Sequence, residues 1–433
     1  MIETALLFGG LLLAVFVIGV PVGYAIIFTT TILYFFYNGG SGDSAILLQR
    51  MFDGLNSFPL LAIPIFLLTG NLMNSGGITM RIFRFASALV GHYRLGLAQV
   101  NVVASMIFAG MSGSATVDAA ALGAVEIPAM LDAGYDRDYS AAVTAASATL
   151  GPIIPPSVPL VIYGIVAEVS IGRLLFAGVV PGIVIGATLM TLIAIQGRRG
   201  GYAKGRFKGF AHLWKSLKEG FLPLLTPIIL LGGILLGVFT PTEAAAVALC
   251  YAIILAMAVY REVSVMRLWE LIKQTFRPTV EIMVIIAGAN AFAYMIMSAR
   301  LPQEVAQFVM LFSLNKYTLL IVINLALLVV GCFMETVAAI TICVPILMPL
   351  VIQYGINPIH FGLIVVFNLV FGLLTPPVGM VLFVTSRIAE ISVSRLVRAL
   401  LVFYIPLLLC LALITFIEPL SVWLPTVLMG ASK

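Results

Sequence analysis

The chain has 433 residues, of which 62% are hydrophobic and 9% are charged, with a net charge of +5. A soluble domain is about 25% charged, so the 23 basic and 18 acidic side chains cannot cover a soluble surface of this size. The composition excludes a soluble enzyme, a nucleic-acid binder and a disordered chain. It predicts an all-α polytopic membrane protein in contact with lipid.

The N-terminal part predicts membrane spans and interfacial helices. Residues 4–37 are apolar for longer than the roughly 20 residues of one crossing, and Pro21 and Gly23 mark a break between two short spans. Residues 58–75 are expected to cross. Residues 44–57 and 78–90 are amphipathic and are expected to lie in the interface.

Two pairs of segments lie between the remaining spans and do not have the sequence of a simple crossing, because glycine, proline and polar residues interrupt their apolar runs. The first pair covers residues 95–131 and 139–168, and the second covers residues 316–352 and 358–389. Ordinary crossings are predicted at residues 173–196, 220–239, 242–260, 278–299 and 399–417.

The charge distribution predicts an orientation. Residues 197–219 carry seven basic side chains and one acid, and we predict that they form a cytoplasmic loop. If residues 95–131 and 316–352 are re-entrant hairpins, the basic segments 78–94 and 387–398 also fall inside. The weakly charged segments 38–57 and 300–315, and the C-terminus, then fall outside.

Proline and glycine positions reveal an internal repeat. Pro128 to Gly134 and Gly151 to Pro156 recur, without a gap, as Pro349 to Gly355 and Gly372 to Pro377, about 221 residues later. Just upstream, Ala115-Thr116-Val117 aligns with Glu335-Thr336-Val337. The topology count places one hairpin's entry inside and the other's outside, which predicts inverted-topology repeats of the kind found in secondary transporters.

The double prolines predict two broken helices. Proline removes a backbone donor and disfavours helix at the preceding residue, so Gly151–Pro156 and Gly372–Pro377 should unwind within the membrane. Unpaired carbonyls survive there only where they line a cavity or bind something. Together with Ser or Thr oxygens they suit Na⁺, and the following half-helix N-terminus suits an anion. A purely structural kink is the alternative.

The segments before the breaks are the predicted hairpin tips. Gly110 to Thr116 offers small residues and hydroxyls, which indicate either cation ligands or close helix packing. Glu335 and Asp118 are acids at membrane depth and are candidates for proton or cation sites. A hydrogen-bonded helix-start residue is an equal alternative for Asp118. Arg300 ends a span, where it either snorkels to the outer face or clamps a carboxylate.

Other reactive residue types form no recognisable site. The four cysteines lie in apolar stretches without a CxxC pair, and the three histidines show no metal-ligand spacing. Because no HExxH, GxSxG or paired-Asp motif is present, we expect a protein that is not an enzyme. A carrier and a channel remain open from these motifs alone.

Several motifs are similar to those of a known family. Gly110-Met-Ser-Gly-Ser-Ala, Gly151-Pro-Ile-Ile-Pro-Pro-Ser, Gly237-Val-Phe-Thr-Pro-Thr-Glu-Ala, Val344-Pro-Ile-Leu-Met-Pro-Leu and Gly372-Leu-Leu-Thr-Pro-Pro-Val-Gly carry the similarity, together with Ala124 to Met130. With them the chain resembles, over almost its full length, the large membrane subunit of TRAP (tripartite ATP-independent periplasmic) transporters.

The resemblance implies a Na⁺-coupled importer of organic acids in the bacterial inner membrane. Its cargo would be a C4-dicarboxylate, sialic acid or a related sugar acid, delivered by a periplasmic substrate-binding protein. A small four-helix membrane subunit would be a separate chain, because this chain starts directly with its own first span. The alternative is a self-sufficient sodium–anion symporter with a similar two-hairpin plan.

The resemblance also implies an elevator mechanism. Transport-domain repeats at 76–170 and 301–396 would move against scaffold helices in 1–75, 171–300 and 397–433. Two or more Na⁺ ions would bind. The first would use Ser112, Ser114, Gly151, Ile154 and Pro156, and the second Gly331, Thr336, Gly372, Thr375 and Val378. The substrate would contact Ser114, Thr116, Ser157, Arg300 and Glu335, between the two tips.

Overall fold

The computed structural model describes residues 10–11, 15, 20–37, 43–199, 205, 207, 209–311 and 314–430. Every regular element in these residues is helical, which confirms the all-α prediction. Much of the first predicted span, the middle of the basic segment 197–219 and the last three residues lie outside the described residues.

The first half of the chain forms nine helices in the described residues. They are α1 (Val22–Tyr37), α2 (Ser44–Leu55), α3 (Ala62–Ser75), α4 (Ile78–Val90), α5 (Gly96–Ser112), α6 (Ala115–Asp132), α7 (Arg137–Ala148), α8 (Val158–Val166) and α9 (Ile171–Arg199). A short 3₁₀ turn, Phe58–Leu61, precedes α3.

The second half adds ten helices in the described residues. They are α10 (Phe210–Leu235), α11 (Pro241–Ile253), α12 (Val265–Ser298), α13 (Leu301–Leu311), α14 (Lys316–Phe333), α15 (Thr336–Gln353), α16 (Pro358–Gly372), α17 (Met380–Ala389), α18 (Val393–Phe416) and α19 (Pro419–Met429). A π-helical turn, Ile254–Val259, extends α11.

Eight helical segments in the described part of the chain are long and apolar enough to cross a membrane. The hairpin helices α14 and α15 are among them, as are α9, α12 and α18. A chain with this many apolar helices buries its backbone polar groups within the segments themselves, as lipid requires. The protein is therefore a multi-pass membrane protein.

Three predicted boundaries were wrong. The segment 197–219 is helical up to Arg199 and again from Phe210, because no proline or glycine interrupts residues 210–219. Helix α12 begins at Val265 rather than near residue 278; Ser264 caps it by accepting a hydrogen bond from the Arg267 amide. The C-terminal tail contains α19, whose short apolar run was too weak a signal to predict.

Both helix breaks occur where the double prolines predicted them. Helix α7 ends at Ala148 and α8 begins at Val158, so the first break contains Gly151–Pro156. Helix α16 ends at Gly372 and α17 begins at Met380. The Pro155–Pro156 and Pro376–Pro377 peptide bonds are both cis. Each discontinuous helix therefore has two halves joined by non-helical backbone, as expected.

The second half of each broken helix packs on the hairpin of the other repeat. Helix α7 packs on its own hairpin, α5 and α6, whereas α8 packs on α15, the second hairpin helix of the other repeat. In the same way α16 packs on α14 and α15, whereas α17 packs on α6. This crossed packing brings both tips and both breaks to the centre of the protein.

The hairpin tips obey the same spacing as the prolines. Ser114 is the N-cap of α6 and Glu335 is the N-cap of α15, a separation of 221 residues. The alignment of Ala115 with Glu335 was therefore wrong by one residue. Turn geometry fixes this register, because both caps follow a helix that ends two residues earlier.

Candidate functional site

Four helices begin at one small central cavity. The cavity has a volume of about 80 Å³, and its lining includes the first residues of α6, α8, α15 and α17. These residues are Ala115, Val158, Thr336 and Met380. Leu67 of α3 and Ile282 of α12 close the cavity from outside the repeats.

The convergence of helix starts makes this cavity attractive to an anion. The N-terminus of a helix carries roughly half a positive charge, and its first amides have no partner within the helix. No basic side chain is found in the cavity lining among the residues that the structure describes. Attraction for an anion would therefore have to come from backbone amides, the arrangement that transporters use with broken helices.

The two tips contribute differently to the cavity. Glu335 Oε2 accepts hydrogen bonds from the Val337 amide at 2.8 Å and the Ala338 amide at 3.4 Å, so its carboxylate already satisfies the start of α15. Ser114 makes no side-chain cap bond to α6, and its hydroxyl pairs with Thr116 at 3.1 Å. The amides at the first tip are thus better placed to bind an anion.

A buried carboxylate lies behind the first tip. Asp118, on the first turn of α6, accepts a hydrogen bond from the Ser112 hydroxyl through Oδ1. Its other oxygen, Oδ2, is buried without a partner. Gly151 of the first break faces this oxygen so closely that a Cβ there would overlap it, and the Ser114 carbonyl lies 3.1 Å from the same position.

The first tip and the first break also meet through the backbone. Gly113 has a φ of +65°, and a Cβ built on it would lie 2.6 Å from the Pro156 carbonyl oxygen. The Val158 amide donates to the Gly113 carbonyl at 3.3 Å. Only glycine combines this φ with so close an approach. The structure thus brings together Ser112, Ser114, Gly151 and Pro156, four of the five residues predicted for the first cation site.

The chemistry of this group fits Na⁺. A buried carboxylate oxygen without a partner is costly unless a cation or a proton compensates it. Carboxylate, carbonyl and hydroxyl oxygens are the ligands of hard cations. Asp118 supplies the first, Ser114 the second and Ser112 the third. Ile154, the fifth predicted residue, lies in the break with its side chain packed against Gly182.

The second tip repeats the close contact between tip and break, but it has no acid at the position equivalent to Asp118. Gly331 and Gly372 touch through their backbones, so that a Cβ on Gly372 would overlap Gly331. The Val378 amide donates to the Cys332 carbonyl at 3.3 Å. The Thr375 hydroxyl donates to the Phe371 carbonyl at 3.1 Å.

One buried hydroxyl at the second tip lacks a partner. Thr336 Oγ1 is buried without a hydrogen bond and lines the central cavity. This orphaned oxygen and the non-helical carbonyls of the second break suit a hard cation, but the position equivalent to Asp118 is Ala339. The carboxylate of the second tip, Glu335, lies at the position equivalent to Ser114 and caps α15 instead.

The predicted substrate residues divide into two sets. Ser114, Thr116 and Glu335 line the central cavity, whereas Arg300 and Ser157 are not part of its lining. Ser157 is fully buried, where it donates to the Pro152 carbonyl and accepts from the Leu160 amide at 3.2 Å. It therefore stabilises the start of α8. Arg300 is exposed, with a φ of +56°, at the junction of α12 and α13.

Sequence reasoning overlooked Glu126. This residue lies two turns after Asp118 on α6, is fully buried, and has no partner for either carboxylate oxygen. An acid inside an apolar segment of membrane-spanning length is the signal that could have identified it.

Comparison with known proteins identifies the family. Residues 9–420 match the family described as "Tripartite ATP-independent periplasmic transporter, DctM component". The chain belongs to this family. The match covers both hairpins, both breaks and the helices between them.

Curated relatives align with this TRAP permease over nearly its whole length. It is 43% identical over 412 residues, 95% of this chain and 96% of the relative, to "Sialic acid TRAP transporter large permease protein SiaM" from Vibrio cholerae. It is 38% identical, over 96% of this chain and 98% of the relative, to "2,3-diketo-L-gulonate TRAP transporter large permease protein YiaN" from Escherichia coli. These relatives are named as transporter permeases and not as enzymes.

A solved structure shares the fold. The YdaH transporter of Alcanivorax borkumensis superposes with a TM-score of 0.61 over 87% of each chain, at 15% identity. At this identity the likeness concerns the fold alone. It supports the all-helical fold of the permease.

Proposed function

We propose that this chain is the large permease subunit of a Na⁺-coupled TRAP transporter that imports an organic acid. One observation carries the proposal: four helix N-termini converge on a cavity beside a buried Asp118 oxygen that lacks a partner. The helix N-termini suit a carboxylate, and the oxygen suits a cation. An anion and its coupling cation would thus bind next to each other.

Na⁺ would bind behind each tip. At the first tip Asp118, Ser112 and the Ser114 carbonyl would hold one ion against Gly151. At the second tip the Thr336 hydroxyl and carbonyls near Gly372 would hold another. Because each group joins a tip to a break, an ion would fix the tip in the form that binds substrate.

The substrate class follows from the cavity and the relatives. Relatives carry the names of transporters for sialic acid, C4-dicarboxylates and 2,3-diketo-L-gulonate, at identities of 37–43%. All are carboxylic acids, which helix N-termini bind well. A cavity of about 80 Å³ holds only two or three waters at roughly 30 Å³ each. The tips and the facing α3 and α12 must therefore separate to admit such an acid.

That separation supports an elevator mechanism. The repeats within 76–170 and 301–396 would move as the transport domain against a scaffold formed by the rest of the chain. A separate four-helix small subunit would support the scaffold. A periplasmic substrate-binding protein would deliver the acid. The permease would lie in the bacterial inner membrane, with the basic segment 197–219 in the cytoplasm and the C-terminus in the periplasm.

Uptake into proteoliposomes tests the function. The permease, its small subunit and its loaded binding protein are assayed with radiolabelled sialic acid, succinate and 2,3-diketo-L-gulonate, under an inward Na⁺ gradient and under an equal K⁺ gradient. We expect one acid to accumulate with Na⁺ only. Equal uptake under both gradients would contradict Na⁺ coupling.

The same assay distinguishes a tripartite transporter from a self-sufficient symporter, by comparing uptake with and without the binding protein. Family membership favours the tripartite arrangement, so the permease without its binding protein should take up little acid. Full uptake by the permease alone would instead support the self-sufficient symporter.

A further inference from the structure

A second, larger cavity lies between the proposed scaffold and the proposed transport domain. Its volume is about 860 Å³, and residues of α2, α8, α12 and α15 line it. Its polar side chains are Arg50, Glu168, Asn290, Tyr294, Ser298 and Thr341. Its volume is about eleven times that of the cavity between the tips. A dicarboxylate or a sugar acid would have room within it.

Two helices connect this cavity to the one between the tips. Along α12, Ile282 lines the small cavity, and Ile286, Asn290, Tyr294 and Ser298 line the large one at successive turns. Along α15, Val337 lines the small cavity, and Thr341, Pro345 and Pro349 line the large one. The two cavities are therefore stacked, with the tips at the inner end and Ser298 and Ile352 at the mouth.

Arg50 lies part-way along this path. A Cβ on Gly54 would lie 2.6 Å from the Asn290 side chain, and the Arg50 guanidinium lies 4.7 Å from the centre of the Tyr294 ring. The two helices therefore run in opposite directions at this contact. Arg50, one turn before Gly54 on α2, lies beside Tyr294, one turn after Asn290 on α12. From Tyr294 to Ile282 is 12 residues, about 18 Å of helix at 1.5 Å per residue.

The guanidinium of Arg50 is available to a ligand. Among the described residues it makes no hydrogen bond or salt bridge, and Tyr294 is its aromatic neighbour. Among the described residues of the lining it is the one basic side chain, and Glu168 is the one acid. An arginine held by an aromatic ring keeps its fork free to bind a carboxylate.

We propose that the large cavity is the outer vestibule of the permease and that Arg50 is its anion-binding residue. An incoming carboxylate first pairs with Arg50 and then passes along α12 and α15 to the helix N-termini between the tips. This inference rests on the proposed function and on the proposed orientation, which places the mouth at the periplasmic face. It assigns the first recognition step to the scaffold rather than to the moving repeats.

Thiol labelling tests the vestibule without requiring transport. Ala293 is half-buried, lines the cavity and follows Phe292 on α12, so Ala293→Cys introduces a small reactive group beside Tyr294. The full-length permease with its small subunit is labelled in right-side-out vesicles. The reagents are a sulfonate methanethiosulfonate and a trimethylammonium methanethiosulfonate, neither of which crosses the membrane. Labelling of the same chain without Ala293→Cys is subtracted, because four native cysteines are present.

With each rate divided by that reagent's rate with a free thiol in solution, we expect the anionic reagent to react faster than the cationic one. Adding Arg50→Gln should lower the anionic rate about threefold or more, as expected when one nearby charge is removed from a partly wet cavity. Arg50→Lys should retain most of the rate, since the charge persists. Arg277→Gln is the matched control. Arg277 is an exposed base on α12, the helix that carries Ala293, and it is paired with Glu281 at 3.0 Å.

Two results would overturn the inference. Equal normalised rates for both reagents, unchanged by Arg50→Gln, would remove the anion-binding role of Arg50. Absence of labelling by either reagent from the outside would show that water does not fill the cavity from that face, and the vestibule would be disproved.

A transport measurement adds an independent readout. In the uptake assay with the acid identified above, Arg50→Gln should raise the KM several-fold and leave the maximal rate nearly unchanged, because Arg50 acts before the tips close. A fall in maximal rate with an unchanged KM would contradict a recognition role. Normal labelling with no Na⁺-dependent uptake would disprove the proposed function while leaving the vestibule intact.

Discussion

At the scale of single residues, the two tips carry their carboxylates at different positions. Asp118 faces Gly151 with one unpartnered oxygen, whereas the equivalent position of the second repeat is Ala339. Glu335, the carboxylate of the second tip, accepts hydrogen bonds from the start of α15, whereas Asp118 keeps a buried oxygen without a partner. We therefore expect the first proposed site to hold its cation more tightly. The repeats are therefore alike in backbone and unequal in electrostatics.

Replacing this carboxylate tests the difference. Asp118→Asn keeps the side-chain size and the contact with Ser112 but removes the charge. We expect the Na⁺ concentration for half-maximal uptake to rise at least tenfold, about 1.4 kcal/mol. The control is Asp132→Asn, an exposed acid at the end of the same helix, which should leave the Na⁺ dependence unchanged. An unaltered Na⁺ dependence in Asp118→Asn would exclude this residue from the cation site.

The sequence identified these acids as candidates but did not assign their roles. Their depth in apolar segments identified Asp118 and Glu335 as candidates, but it could not distinguish a ligand from a helix cap. The structure shows Glu335 as a cap and Asp118 with a free oxygen. That distinction depends on which backbone amides lie nearby, and no sequence pattern specifies it.

At the scale of elements, each break is pressed against a tip by glycine contacts. Gly372 meets the backbone of Gly331 with no room for a side chain. A glycine pair lets the broken helix and the hairpin approach until their backbones touch. The same closeness would bring non-helical carbonyls of both elements to one ion.

Adding one methyl group at this contact should disrupt it. Gly372→Ala would force the second tip away from the break, at a cost of about 1–3 kcal/mol for overpacking. We expect a large loss of Na⁺-dependent uptake with normal membrane insertion, measured by uptake and by the amount of folded protein in the membrane.

A glycine in open space provides the control. A Cβ on Gly232 of α10 would meet nothing within 4 Å, so Gly232→Ala should transport like the wild type. Wild-type uptake in Gly372→Ala would show that the close contact is not needed for transport.

The elements themselves were largely predictable from the sequence. Double prolines and spans of known length specify the hairpins and broken helices, because these signals are local. The early starts of α10 and α12 were missed because charged residues were taken as loop, although a helix can continue beyond the membrane surface. The two-residue tips were predicted only approximately, since one residue of register depends on the turn.

At the scale of the whole molecule, crossed packing of the repeats creates the site. Helices α8 and α17 each pack on the hairpin of the other repeat, so the starts of four helices meet at the centre. The family resemblance implied that the substrate lies between the tips. The sequence could not predict the convergence of all four helix starts or the larger cavity beside α12, because these depend on how the repeats interlock.

The most direct test of the central claim is a cryo-electron microscopy map of the permease with its small subunit, in saturating Na⁺ with the transported acid and again in Na⁺-free K⁺ buffer. We predict density for an ion in direct contact with Asp118 Oδ2 and the Ser114 carbonyl, and density for the acid between the two tips, in the Na⁺ map only. Maps that show no ion beside Asp118, or the same features without Na⁺, would contradict it.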